Sequence, residues 1–545
     1  MKMDEELGQD RDSSFLTDDE EKQSSLASSD DEDDDGNYRS SSPLSRNHSD
    51  DSPSPWPRSY RRSMDMLTGV TPPTVSFIPR SGSRTLSSNA DSSFCKRRQN
   101  SCQDSFSSSA SKPLISQSIH GKEEIRTSAL ISAIEFISSQ LELSIADHPF
   151  PPENRCSFSQ SVLNGVNVLC GLALLTMPYA LKEGGWIGLF VLLLFGIITC
   201  YTGILLKRCA ESSPGLTTYP DIGHAAFGMT GRVIISILLY LELYASCVEY
   251  IIMMSDNLSG LFPNTSLRIS GLSLDSSQIF AVATTVIVLP TVWLRDLSLL
   301  SYLSVGGVLS SILLALCLLW NGSVDGVGFH LTGQALDLTN LPVSVGIFGL
   351  GFAGHSVFPN LYSSMKEPSK FPLVLVICFG FCTFLYIGVA ICGYTMFGDA
   401  IQSQFTLNMP KQFLTSRIAV WTAVVTPMTK YALTITPVVL SLEELMPSSK
   451  MKPYGSSILL RTILVISTLV VALAVPFFAI VGALMGSFLA VLVALIFPCM
   501  CYLSILKGRL SNTQVGICIL IIIFGLVAGC CGTYSAVARL IGELT

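Results

Sequence analysis

Eleven apolar stretches of about 20 residues follow one another from Phe158 onward, and that recurrence confines the chain to a bundle of membrane-crossing helices. Their approximate limits are 158–180, 184–206, 231–254, 277–294, 299–320, 341–364, 372–396, 417–441, 458–475, 479–505 and 514–541, with Pro476 turning the chain between the ninth and tenth. Most of the acidic charge lies outside them. Residues 1–150 hold 16 Lys and Arg against 25 Asp and Glu, whereas the rest of the chain holds 18 against 16. The acidic balance of the whole therefore belongs to the first 150 residues and says nothing of what the membrane part binds. No nucleic-acid partner is expected.

The expected organisation is a cytosolic tail over 1–150 and a membrane domain over 151–545. The tail is Ser-rich, with acidic blocks at Asp18 to Glu21 and Asp30 to Asp35 and a more basic middle that includes Arg58, Arg61 and Arg62. Such a composition cannot bury enough apolar surface to offset chain entropy, so disorder is expected. Ser42-Pro43, Ser52-Pro53 and Ser54-Pro55 are contexts that kinases acting on the tail would use, and plain solvated disorder explains them equally well. Residues 127–144 have the pattern of a short amphipathic helix. Met1 to Asp35 has no apolar core, so no cleavable signal peptide is expected and insertion relies on the first apolar stretch. The 16 Cys are scattered, mostly inside apolar stretches, where they act as small packing residues. Cys499-Met-Cys501 has no partner pair elsewhere, so neither a metal site, a cofactor nor a disulfide framework is expected.

Charge sets the orientation. With the N-terminus in the cytosol, cytosolic edges carry Arg155, Lys207, Arg208, Arg232, Arg295, Lys366, Lys370, Lys450, Lys452, Arg461, Lys507 and Arg509, and the other side carries Lys182, Arg268, Lys411, Arg417 and Arg539. That excess on one side supports a cytosolic N-terminus, and an odd number of spans then places the C-terminus in the lumen. The sequons at Asn264 and Asn321 fall on the non-cytosolic side.

Two stretches differ from the rest. The first contains Asn164, Gly165, Val166, Asn167 and Gly171, and the sixth contains Gly346, Gly349, Gly351, Phe352, Gly354 and His355. A helix broken in lipid leaves backbone groups unsatisfied, so a break is tolerated only where the backbone lines a cavity. A pair of broken spans at matching places in two halves points to the substrate site of an inverted-repeat transporter. Gly349 to Gly354 also spells a dinucleotide-binding fingerprint, but no strand precedes it and no βαβ unit surrounds it, so that reading fails. For either stretch alone, close helix packing through small residues is an equal explanation. The pair favours a binding site.

Four charged or titrating residues, two Glu, one Lys and one His, lie deep inside the apolar stretches, away from their edges. Glu242 and Glu249 are seven apart in the third, hence on one helical face. A charge at mid-membrane costs about 2.5–3.5 kcal/mol on insertion scales, so each must face the protein interior or water. Glu242 reads equally as a proton-relay group or a paired structural carboxylate, while Glu249 reads as structural. Lys430, in the eighth, either stands where another transporter binds Na⁺ or pairs with a carboxylate such as Glu242. His355, after the break in the sixth, is either a titrating site residue or a satisfied interior histidine.

Asn167-Val-Leu-Cys-Gly171 with Leu174-Leu175-Thr-Met-Pro178-Tyr179-Ala180 resembles the first-helix motif of the amino acid/auxin permease family. Gly354-His355-Ser-Val-Phe-Pro359-Asn360-Leu-Tyr362-Ser-Ser-Met365-Lys-Glu-Pro368 resembles its sixth-helix motif, in the form found in vesicular inhibitory and vacuolar amino acid transporters. Val475-Pro476-Phe477, Gly486-Ser487 and Pro498 to Leu503 are similar to its ninth and tenth helices. The resemblance implies an all-α, LeuT-like fold of five plus five inverted spans with one extra helix, and amino acid transport coupled to protons or Na⁺. By family position, Asn167, Gly171, Gly351, Phe352, Gly354 and His355 line the substrate or cation site. Lys430 replaces the small hydroxyl residues of Na⁺-coupled relatives, which favours protons. The expected function is a proton-coupled carrier of amino acids, neutral ones first, that exchanges protons for amino acid at the vacuolar membrane. The alternatives are an amino acid sensor on a transporter fold and a proton symporter that exports amino acids. An enzyme is not expected, because the spans hold no nucleophile–base pair.

Overall fold

The computed structural model describes residues 56–68, 155–269, 272–294, 303–331, 333–446 and 454–545. The Ser-Pro sites at Ser42, Ser52 and Ser54 and the helix expected over 127–144 lie outside them. Apart from the ribbon Leu267–Ile269 (β1) against Leu272–Leu274 (β2), the regular elements are helical. The helices that matter here are Tyr60–Thr68 (α1), Phe158–Leu169 (α2), Ala173–Gly184 (α3), Gly188–Glu211 (α4), Tyr219–Leu261 (α5), Ser276–Trp293 (α6), Leu303–Ser323 (α7), Leu341–Gly351 (α8), Phe358–Ser364 (α9), Phe371–Phe397 (α10), Leu414–Leu445 (α11), Tyr454–Ala474 (α12), Phe478–Ile505 (α13) and Asn512–Leu544 (α14).

Nine of the described helices are long and apolar enough to cross a membrane, and α2 with α3 make a tenth span bent by 52°. The sixth apolar stretch is also two helices, α8 and α9, with Phe352 to Val357 between them, each too short to cross a membrane by itself. The third span is preceded by a helical arm: Gly228, at φ +66°, breaks the long helix α5 before the span proper begins.

The sixth span comes five crossings after the first, an odd number, so the two run antiparallel. Backbone pairing at both ends shows this directly. Where the first span begins, Cys156 N–H donates to Ser364 O and Lys366 N–H donates to Cys156 O, both at 2.9 Å. Where it ends, Trp186 and Ile187 N–H donate to Gln334 and Ala335 O, and Ser344 Oγ donates to Ala180 O. At that second end Arg539 of α14 reaches Glu183 at 2.5 Å, Tyr179 at 3.3 Å and the side chain of Asn340. One guanidinium thus ties the end of the first span to the start of the sixth and to the eleventh.

The glycines of the sixth span that lie before its break serve packing. A methyl group at Gly346 would overlap Ala483 O, and one at Gly486 would overlap Gly346 O, so α8 and α13 touch backbone to backbone. Interiors this close do not absorb added volume. Gly486→Ala is expected to destabilise the protein by about 1–3 kcal/mol or more, read as a lower melting temperature of the detergent-solubilised chain.

The sequon residue Asn321 is enclosed. Its side chain is buried, and Nδ2 donates to Asp325 and Ser416 at 3.1 Å each, so the amide that would carry a glycan is enclosed. Asn264, by contrast, is exposed in a turn.

Candidate functional site

A break in a helix frees carbonyls that the next turn would have used. In a continuous helix Asn167 O would accept from Gly171 N–H. Here Gly171 N–H turns back to Leu169 O at 2.9 Å, and Asn167 O accepts instead from Lys430 Nζ at 3.3 Å. The ammonium thus lies at the C-terminal end of the half-helix α2, where the helix dipole is negative. Leu169 O, freed by the same break, accepts from Tyr386 Oη at 2.6 Å. The same hydroxyl lies 3.0 Å from Gly351 O, freed by the break in the sixth span. Cys170 O accepts from Ser311 Oγ at 3.4 Å.

Between the two breaks lies a cavity of about 130 Å³. Asn167 and Val168 of α2 and Ala353, Ser356 and Val357 of the sixth-span break form one wall. Glu242, Leu243, Ser246 and Tyr250 of α5, Lys430, Leu433 and Thr434 of α11 and Leu67 of α1 complete the lining. The cavity is therefore lined by an ammonium, a carboxyl group and several apolar side chains. The two charged groups are the complements of a zwitterion.

Of the residues singled out in the sequence, Asn167, Glu242 and Lys430 line this cavity. No ion pair within 4.0 Å joins Glu242 to Lys430, so the pairing offered as an explanation of Lys430 is not made among the described residues. Asn167 Oδ1 and Glu242 Oε2 are buried with no hydrogen-bond partner among the described residues. Asn167 Oδ1 is pressed against Gly307 of α7, where a Cβ would overlap it.

The other singled-out residues surround the cavity without lining it. Val166 is buried, and a methyl at Gly165 would meet Cys378 Sγ at 2.7 Å, which makes Gly165 a contact with α10. Asn164 is buried, with Nδ2 unpartnered among the described residues. Gly171 sits in the break, with open space where its Cβ would be. Gly351 is held between Met177 and Tyr386, and Gly354 between Leu169 and Phe358. Phe352 is fully buried, stacked on Phe379 and edge-on to Tyr386, so the space beside it is packed core. His355 faces α4: its Nε2 lies 3.0 Å from Thr202 Oγ1 and 3.1 Å from Thr199 O, and its ring packs on Phe358. Glu249 is completely buried beside Gly482 of α13, and neither carboxyl oxygen has a hydrogen-bond partner among the described residues.

Two participants carry no signal in the sequence. Tyr386 is one of several aromatics in an apolar span and has no distinguishing neighbours. Helix α1 lies in a Ser-rich region and is only nine residues long. Within it Asp65 accepts from Asn360 Nδ2 at 3.2 Å, and burial raises its carboxyl to about 6 against the opposing pull of Asn360 and Arg61.

The family model described as transmembrane amino acid transporter protein matches residues 154–538. The chain is 70% identical to the amino acid transporter AVT1D of Arabidopsis thaliana over the full length of both, and 71% identical to AVT1E of the same plant over 93% of this chain and 94% of that one. It is 40% identical to AVT1J, also from Arabidopsis thaliana, over 72% of this chain and 94% of the relative. Among solved structures it is similar to a Na⁺-coupled sialic acid symporter in a substrate-bound, outward-open state, with 14% identity, a TM-score of 0.42, and coverage of 69% of this chain and 88% of that one.

Proposed function

Because the chain belongs to the transmembrane amino acid transporter family, we propose that it is a secondary carrier that exchanges protons for amino acids across the vacuolar membrane. The observation that carries this reading is Lys430: its ammonium occupies the freed carbonyl of Asn167, inside a cavity walled by both broken spans. Unwound carbonyls and half-helix C-terminal ends are where broken-helix transporters hold a coupling cation. A lysine fixed there leaves the position to a group that gains and loses a proton rather than to Na⁺. Glu242, across the same cavity, is the second group able to carry one.

An amino acid enters with its ammonium toward Glu242 and its carboxylate toward Lys430, and the apolar lining from Val168, Leu243, Val357 and Leu433 accommodates a neutral side chain. His355 keeps the sixth-span break against the second span through Thr199 and Thr202 and acts as a positioning residue. Alternating access follows from rocking the broken spans against the third and eighth around this midplane cavity. The charge bias of the loops supports a cytosolic N-terminus, and an acidic lumen supplies the driving gradient.

The test is uptake of a labelled mixture of amino acids into proteoliposomes. Flux driven by an acidic interior and unchanged by an Na⁺ gradient is the expected result. Flux driven by Na⁺, or only by acid outside, would overturn proton exchange. Binding without flux under any gradient would replace the carrier by a sensor.

A further inference from the structure

Helix α1 belongs to the membrane domain although the chain between it and the first span is long. Tyr60, Ser63 and Met64 are each at most 1% exposed, and Leu67 forms part of the wall of the substrate cavity. Nine residues are too few to hold a helix in water on their own, so its docking is what keeps it folded.

The contacts of this segment fall on both sides of the cavity. On the sixth span, Tyr60 Oη donates to Ser356 O at 2.8 Å, and Asn360 Nδ2 donates to Arg61 O and Asp65 Oδ1 at 3.2 Å each. On the eighth, Trp56 Nε1 donates to Ser441 O at 3.0 Å, and Glu444 accepts from the backbone N–H of Arg58 and Ser59. On the third, Arg232 Nε donates to Trp56 O at 3.1 Å while its guanidinium pairs with Asp221, and the Tyr240 ring packs on both Trp56 and Tyr60. The cavity lies between these same groups of spans. Any opening at this face must draw the broken spans away from the third and eighth, and one short segment is bonded to the sixth, the third and the eighth.

We infer that Trp56–Thr68 is a built-in plug that closes the cytosolic mouth of the cavity and latches the broken spans to the third and eighth, so that the carrier opens to the cytosol only when the segment leaves. The inference rests on the transport reading above. It also gives the tail a role in transport, because whatever binds or modifies the chain ahead of α1 acts on the rate through this one docked helix.

The experiment compares the full-length chain with Met64→Glu and Tyr60→Ala in proteoliposomes, and with Arg62→Ala, which alters an exposed residue of the same helix. Two readouts are taken, the initial rate of labelled amino acid uptake and the rate of tryptic cleavage at Arg61 and Arg62 in the wild type, Met64→Glu and Tyr60→Ala. Met64→Glu and Tyr60→Ala are expected to raise the initial rate by about fivefold or more, and to speed cleavage by about tenfold, since cleavage follows the undocked population. Arg62→Ala is expected to transport as the wild type does. Equal flux in all four chains, or slower flux in the two undocking variants, would overturn the plug while leaving the carrier intact. Cleavage in the wild type as fast as in Met64→Glu would overturn docking itself. Flux absent from every chain would overturn the transport reading, and the plug with it.

Discussion

Replacing Lys430 by Met is expected to lower proton-driven uptake by about 100-fold, close to the background of empty liposomes. Two losses add. The carbonyl of Asn167, which the break in the first span frees, loses its donor in the protein interior, and an orphaned buried acceptor costs about 1–3 kcal/mol. In the binding mode proposed above, the cavity also loses the positive charge that would face the amino acid carboxylate. Methionine keeps the length and apolar stem of lysine, so the walls of the cavity remain filled. A second substitution separates the two roles of the ammonium. In Lys430→Thr the Asn167 carbonyl and a new hydroxyl are both free to meet a small cation. If the lysine occupies a cation position, external Na⁺ restores part of the flux in Lys430→Thr and none in Lys430→Met. Uptake by Lys430→Met at the wild-type rate, still driven by pH, would remove Lys430 from the mechanism.

The parts of this site that could be read from the sequence are those whose chemistry conflicts with lipid. Asn164-Gly165-Val166-Asn167 and the glycines before His355 stand out because nothing apolar about a membrane helix calls for them. The first span breaks at Cys170 to Leu172, just after that run, and the sixth at Phe352 to Val357, which contains Gly354 and His355. Lys430 stands out as a lone ammonium within an apolar span, and it faces the cavity. The nine unbroken spans and the bent first one follow from length and apolar composition.

The direction of each side chain past a break does not follow. His355 comes just after the break in the sixth span, a place that suggests the site, but the turn between α8 and α9 aims its ring at Thr199 and Thr202. Glu242 and Glu249 do share a helical face, as seven residues at 100° each require. That spacing also separates them by about 10 Å along the axis, so one reaches the cavity and the other lies beside Gly482 of the tenth span. Gly346 and Gly349 of the sixth span serve the contact with α13, whereas Gly351 and Gly354 flank the break, and composition cannot divide them. Helix α1 is invisible for a different reason. Its residues are unremarkable until the cavity mouth, Ser441, Glu444 and Asn360 are brought around them by the fold.

Tyr386→Phe is expected to slow transport by about tenfold in both directions while leaving the driving ion unchanged. The substitution keeps the ring, and with it the edge-on contact to Phe352 at 5.6 Å between centroids. It removes one hydroxyl, 2.6 Å from Leu169 O and 3.0 Å from Gly351 O. A phenol has a single proton, so it serves one carbonyl at a time. Those carbonyls belong to the two breaks, which must shift against each other when one bundle rocks on the other. Leu169 O also accepts from Gly171 N–H, so the hydroxyl matters most at Gly351 O, and a donor that reaches both breaks without leaving its place lowers the cost of that movement. Without it Gly351 O loses that donor, and about 1.4 kcal/mol in the barrier is a factor of ten in rate. Lys430→Met and Tyr386→Phe therefore differ in kind: the first loses coupling and affinity together, whereas the second keeps affinity and loses speed. Measuring substrate affinity and maximal rate separately distinguishes them, and an unchanged maximal rate in Tyr386→Phe would show that the two breaks move without help from the seventh span.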